Sequence, residues 1–334
     1  MKTVPAWPAA VGTLLVVALA GGCAWDGPMS TVVARSDLAR STLGIYGVIT
    51  WAVAIIGLLV FVALGWILLR FRERPGAGVP RQIHGHALLE IAWTIAPALV
   101  LLIIAIPTIQ VVFRTQGDAA PPSSLAVTVR GWQWWWEFRY PTLDVVTANE
   151  LHLPAGRPVV LTLEGLDVIH SFWVPQLGGK RDVVPGRVNR ITLTPDRAGE
   201  YWGQCAEFCG ASHANMQLRV IVEEPAAFER WAAAQKVPPP EPTGDAAAGK
   251  DLFTRHACVG CHTIRGVASG ALGPDLTHFG SRALFGAGLW PTTAESVAAW
   301  IKDPPALKPG SRMPNLGVTD ADARALALYL TSLR

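Results

Sequence analysis

Cys205 and Cys209 stand four residues apart, Glu207 lies between them, and His213 and Met216 follow at once. His170 sits upstream in His170-Ser171-Phe172-Trp173-Val174-Pro175. Thiolate, imidazole and thioether form the soft donor set that selects copper. Two cysteines so spaced on a loop can place both sulfurs between two metals, which a single-cysteine blue-copper loop cannot do. His170 and His213 would then give one imidazole to each copper, and Met216 a weak axial bond. Met216 is also in phase with Leu218, Val220 and Val222, so it begins a strand that points inward. The competing readings are an exported disulfide, an ordinary core methionine with satisfied histidines, or zinc, which has little use for a thioether.

A second constellation lies further on. Cys258-Val259-Gly260-Cys261-His262 is the pattern for attaching a c-type haem: two thiols add to its vinyl groups and the histidine binds iron. A redox Cys-x-x-Cys or half a zinc site is the alternative, and the adjoining histidine argues against both. The sixth iron ligand should be soft to hold a high potential. Met313, in Arg312-Met313-Pro314, is the only methionine in this part of the chain, and His278 is its rival. The chain has five cysteines, and each has a chemical role that needs no structural disulfide.

The elements that must hold these groups begin in a membrane. Of the 334 residues 51% are hydrophobic, too many for a wholly soluble protein. A net charge of +3 without basic clusters gives no case for nucleic acid. Lys2 and the short apolar run at 11–20 fit a secretory signal over residues 1–22. Leu19-Ala20-Gly21-Gly22-Cys23 resembles a lipoprotein signal, which would lipidate Cys23; cleavage after Ala18-Leu19-Ala20 would leave it a free thiol instead. After an external segment at 23–43, residues 44–69 and 89–113 are each long enough for the ~20 residues of a spanning helix. The loop between them, 70–88, carries Arg70, Arg72, Arg74 and Arg81 against Glu73, which keeps it in the cytoplasm and puts the rest outside. Glu90, at the mouth of the second helix, is either a solvated carboxylate or part of a proton path.

From 118 to 224 the pattern changes to period two, as in Leu125, Val127, Val129 and again Val159, Leu161, Leu163. Turn signals such as Pro154-Ala155-Gly156 and Pro185-Gly186 separate short runs, the pattern of an antiparallel sandwich or barrel. Residues 225–246 hold a brief helix and a proline-rich spacer, which marks a domain boundary. In 247–334 the period is helical; Thr319 and Asp322 form a capping pattern ahead of Leu326, Tyr329, Leu330 and Leu333.

From about Ser36 to Glu224 the sequence resembles cytochrome c oxidase subunit II. The resemblance rests on Glu90-x2-Trp93-Thr94-x2-Pro97, Gly131-Trp132-Gln133-Trp134-Trp135-Trp136, Asp167-Val168-Ile169-His170-Ser171, Lys180-x-Asp182-x2-Pro185-Gly186-Arg187 and the cysteine loop. From Gly249 the chain resembles a class I cytochrome c, with Gly273-Pro274-Asp275-Leu276 matching the loop beside the haem histidine.

The resemblance implies a membrane-anchored multidomain chain: two transmembrane helices, a cupredoxin sandwich holding a dinuclear CuA centre, then a small all-α cytochrome c domain. Cys205 and Cys209 would bridge the coppers, with His170, His213, Met216 and the Glu207 carbonyl completing them. The Glu207 carboxylate would bind a magnesium ion shared with subunit I, Glu90 would mark a proton-channel entrance, and Trp134 would be the exposed aromatic where electrons come in. Trp135 stands where a tyrosine is usual, which leaves open which ring is used. The Pro274 carbonyl would orient His262. The implied setting is the bacterial inner membrane, with the metal domains on the periplasmic face, subunits I and III as partners, and a cytochrome or quinol-oxidising complex as the external donor. The alternative is the CuA subunit of a nitric oxide reductase. A quinol oxidase subunit lacks the copper ligands that are present here.

Overall fold

The computed structural model describes residues 26–72, 75, 76, 78, 79, 82–116 and 121–334. The signal segment, Cys23, and Glu73, Arg74 and Arg81 of the loop lie outside them.

Two long apolar helices come first, α1 (Asp37–Arg70) and α2 (Ala87–Gln116), with mean hydropathies of 2.9 and 2.5 in their most apolar stretches and nothing buried there. Trp51, Phe61 and Leu69 point outward from α1 at 73%, 74% and 83% exposure, which water would penalise and lipid accommodates. The first helix starts seven residues before the apolar run, because its root is fastened to the outer domain. The Ser36 side chain accepts from Ala39 N at 3.0 Å and donates to the Leu177 carbonyl at 2.6 Å, while Asp37 Oδ1 accepts from Thr194 N at 2.7 Å. A cap of this kind contributes about 1 kcal/mol to the helix. Here it also fixes the sandwich at the membrane surface.

The strands are β1 (Leu125–Trp132), β2 (Trp135–Tyr140), β3 (Val145–Ala148), β4 (Glu150–Pro154), β5 (Val159–Gly165), β6 (His170–Trp173), β7 (Arg181–Val183), β8 (Val188–Leu193), β9 (Gly199–Cys205) and β10 (Gln217–Glu223). They form two five-stranded sheets, ordered β3-β2-β1-β5-β8 and β4-β10-β9-β6-β7. Most neighbours are antiparallel, but β1 pairs with β5 and β4 with β10 in parallel. The alternation seen in the sequence faces inward as expected: Val127, Val129, Leu161, Leu163, Val220 and Phe138 are buried between the sheets.

Helix α3 (Pro225–Ala234) packs Phe228 onto this core, and Trp231 stacks on His152 at 4.1 Å. After the spacer come α4 (Asp245–Arg255), α5 (Ala294–Lys302), α6 (Pro304–Leu307) and α7 (Asp320–Ser332), interrupted by two short ribbons at 263–269 and 284–291. Thr319 caps α7 by accepting from Asp322 N at 3.2 Å, and Leu326, Tyr329, Leu330 and Leu333 are buried in the core it shares with α4 and α5. Gly249 makes that crossing close: a Cβ there would sit 2.2 Å from the Ala325 carbonyl oxygen.

Candidate metal and haem sites

The sandwich brings the first constellation together at one end. His170 opens β6, Cys205 closes β9, and Met216 stands just before β10, so these three are held by the sheet. Cys209 and His213 lie on the loop between β9 and β10. Cys205 Sγ is 3.8 Å from Cys209 Sγ, 3.9 Å from His170 Nδ1 and 3.2 Å from the Glu207 carbonyl oxygen. Cys209 Sγ is 3.5 Å from His213 Nδ1 and 3.9 Å from Met216 Sδ. Sulfurs 3.8 Å apart are free thiols, since a disulfide is about 2 Å. Each sulfur thus has its own imidazole, with the thioether on one side and the carbonyl on the other.

The surroundings tune these groups before any metal is considered. The two thiols share one hydrogen bond, so the pair gives up its first proton more easily than an ordinary thiol and holds its second more tightly. One thiolate therefore forms readily, while the second proton is one that a metal must displace. Burial disfavours charge on His170, but hydrogen bonds to Asp167 and Cys205 outweigh it and raise the imidazole. Asp167 Oδ1 meets His170 Nε2 at 2.8 Å, which points Nδ1 at the sulfur. Gly131 makes room for the ring, as a Cβ there would lie 2.9 Å from His170 Cδ2. The soft donors, their spacing and the oriented histidine fit two coppers.

The second constellation lines a cavity of about 640 Å³ in the helical domain, closed on one side by Trp132, Gln133, Trp134 and Trp135 of the sandwich. Cys258, Cys261 and His262 line it, and so does Met313. His262 Nδ1 donates to the Pro274 carbonyl at 2.9 Å, leaving Nε2 for a metal, and burial lowers its pKa so that the ring is neutral. Gly273 is required beside it: a Cβ would come within 2.6 Å of His262 Cε1. Trp300 Nε1 donates to Met313 Sδ at 3.2 Å and holds the thioether. His278 does not line the cavity; its Nε2 meets the Gln235 carbonyl at 3.1 Å. A flat ring with an apolar body fits this space, with both thiols at its wall.

Three family profiles match: the transmembrane domain of cytochrome c oxidase subunit II over residues 29–111, its periplasmic domain over 144–224, and cytochrome c over 246–334. The cytochrome c oxidase subunit 2 of Alkalihalophilus pseudofirmus is 38% identical over 288 residues, covering 84% of both chains. The chain belongs to the cytochrome c oxidase subunit II family. The subunit 2 of Bacillus subtilis is 34% identical over 292 residues, covering 80% of this chain and 82% of that one. Among solved structures, the periplasmic domain of subunit II from Bradyrhizobium japonicum is 30% identical, covers 35% of this chain and 97% of that one, and has a TM-score of 0.34.

As an oxidase subunit II with a cytochrome c domain, the chain is a membrane subunit of a haem-copper oxidase and associates with subunit I. Its two helices span the membrane and its sandwich is periplasmic. The two domains imply CuA copper and haem c.

The subunit also shows placements that differ from the sequence reading. Trp134 is buried, 8% exposed, because the cytochrome domain covers it; its Nε1 donates to the Cys209 carbonyl at 3.0 Å. The cytochrome domain is bonded directly to the sandwich. Glu150 Oε1 accepts from Ala283 N, Ser212 Oγ donates to the Pro309 carbonyl at 2.6 Å, and Lys308 Nζ donates to the Trp134 carbonyl at 2.7 Å. Asp167, Trp300, Arg282 and Lys308 were given no role from the sequence; only Asp167, three residues before His170, had a spacing that could have flagged it. Glu207 is exposed on the loop, and Glu90 in the first turn of α2 accepts from His86 N at 3.3 Å.

Proposed function

We propose that this subunit takes electrons from a donor outside the membrane and passes them to subunit I, where oxygen is reduced and protons are pumped. Cys258 and Cys261 would carry the haem as thioethers, with His262 and Met313 on its iron. Cys205 and Cys209 would bridge two coppers, with His170, His213, Met216 and the Glu207 carbonyl as the remaining ligands. When bound, the haem supplies one-electron exchange with the donor, and the copper pair one-electron exchange with subunit I.

The observation that carries this reading is one indole. Trp134 lines the haem cavity, and its Nε1 donates to the main chain of Cys209. The same ring is packed by Gly310 of the cytochrome domain, where a Cβ would lie 2.6 Å from its Cη2. The protein's own work is positional. Asp167 aims His170, Pro274 aims His262 and Trp300 holds Met313, so the ligands need little rearrangement.

The same reading assigns further groups. The exposed Glu207 carboxylate would share magnesium with subunit I, and Glu90 would stand at a proton-channel entrance. Subunit III completes the assembly, Cys23 is the lipidated residue after a signal at 1–22, and the donor is a cytochrome or quinol-oxidising complex. Purification in mild detergent, with metal analysis and identification of co-purifying chains, tests the core of it. Two coppers and one covalent haem per chain, together with a haem-copper subunit I, are expected. Stoichiometric zinc or a mononuclear blue-copper spectrum would overturn it.

A further inference from the structure

The haem cavity has an unusual charge balance. Lys308, Arg282 and Arg312 all line it, and among the described residues no acid does. Arg312 is accounted for: it is largely exposed, donates to Gln133 Oε1 at 2.6 Å and pairs with Asp167 at 3.6 Å. The other two are not. Lys308 is 4% exposed and donates to the carbonyls of Trp134 at 2.7 Å and Gly286 at 2.9 Å. Arg282 is 8% exposed and donates to the Asp275 carbonyl at 2.5 Å. Among the described residues neither makes an ion pair with a carboxylate.

A buried charge without a counter-charge costs several kcal/mol, and carbonyl dipoles offset only part of it; Lys308 is in that position, whereas Arg282 lies in the field of Asp275 and Glu150. Burial accordingly pulls the Lys308 ammonium down to about 7 and lowers Arg282 as well. Each also has N–H groups to spare: an ammonium has three and a guanidinium five. What completes the wall beside Lys308 is a ligand with an apolar body and an anionic group.

We propose that Lys308 is a positioning residue for electron transfer within the chain, holding one carboxylate of the haem on one side and the main chain of Trp134 on the other. This rests on the haem reading above and extends it to the junction of the two domains. The residues after Lys308 serve the same junction. The Pro309 carbonyl accepts from Ser212, which is fully buried one residue before His213, and Gly310 packs on the Trp134 ring with φ at +80°. Met313 follows in the same loop. One stretch of six residues thus touches the haem cavity, the indole and the copper loop. The ammonium would link the haem to the Trp134 main chain by hydrogen bonds, so that the two sites keep one spacing.

The test uses the full chain in the assembled oxidase, as wild type, Lys308→Met and Lys308→Arg. Haem content is measured first, because wild type without covalent haem would remove the reading beneath the proposal. With haem present, Lys308→Met should lower the haem midpoint potential, since loss of a cation beside a carboxylate favours ferric iron. It should also slow haem-to-copper transfer after flash reduction. Lys308→Arg should restore the potential. An unchanged potential in Lys308→Met, with haem retained, would make Lys308 an interface strut and overturn the proposal. If Lys308→Met fails to assemble, redox-difference infrared spectra of wild type and Lys308→Arg, with the haem carboxylates isotopically labelled, decide the point. A carboxylate band that moves between the two supports the contact, and identical bands overturn it.

Discussion

In the sandwich the metal donors lie close together. His170, Cys205 and Cys209 offer ligand atoms within 4.8 Å of one another, and strands fix most of the set. In the helical domain the ligands line a cavity of about 640 Å³. Its wall includes Leu276, Phe279, Phe285, Val297 and Leu330, which belong to the domain's apolar core. The copper site is therefore carried by sheets with their own core, while a bound haem would complete the core of its domain. A ligand that is also core must arrive before the domain is stable, and a ligand held by a finished sheet can arrive late.

That contrast can be broken most severely at the haem cysteines. Replacing both, Cys258→Ser with Cys261→Ser, should leave residues 247–334 open to limited proteolysis while the sandwich still binds copper. A cytochrome domain that stays resistant without haem would erase the difference between the two sites. A smaller effect is expected at the indole they share. Trp134→Phe keeps a ring against Gly310 but removes the bond to the Cys209 carbonyl, which Gln133 Nε2 still meets at 2.8 Å. Haem-to-copper transfer should slow in flash-initiated kinetics with both coppers retained, at a stability cost of about 1 kcal/mol. Trp135→Phe should do less, since Trp135 stacks on Trp132 at 5.8 Å and bonds to neither site. The mildest change is Met216→Leu, nearly conservative in volume and worth less than about 1.5 kcal/mol of stability. It should leave both coppers bound and shift their potential, as metal analysis and redox titration would show.

How legible each region was in the sequence follows from how local its determinants are. Cys205 to Met216 spans one loop and a strand start, so spacing and period reveal the donor set together. Cys258 to His262 is more local still. The helix root at Ser36 was missed because it is fixed by Leu177 and Thr194, far away in sequence. The junction between the domains was missed for a related reason. A lysine in Leu307-Lys308-Pro309-Gly310 reads as a solvated loop charge, and nothing near it in sequence shows that Trp134 and Gly286 will enclose it. The same blindness made Trp134 look exposed: a sandwich alone would expose it, and only the second domain covers it.

The haem and the copper pair are expected to exchange electrons within one chain, across the Trp134 junction. Flash reduction of the haem in the purified oxidase, followed at the haem and copper bands over a wide range of enzyme concentration, tests it directly. The expected result is one first-order rate constant at every concentration, with haem oxidation and copper reduction in step. A rate that rises in proportion to enzyme concentration would show electrons passing between molecules and would contradict the claim.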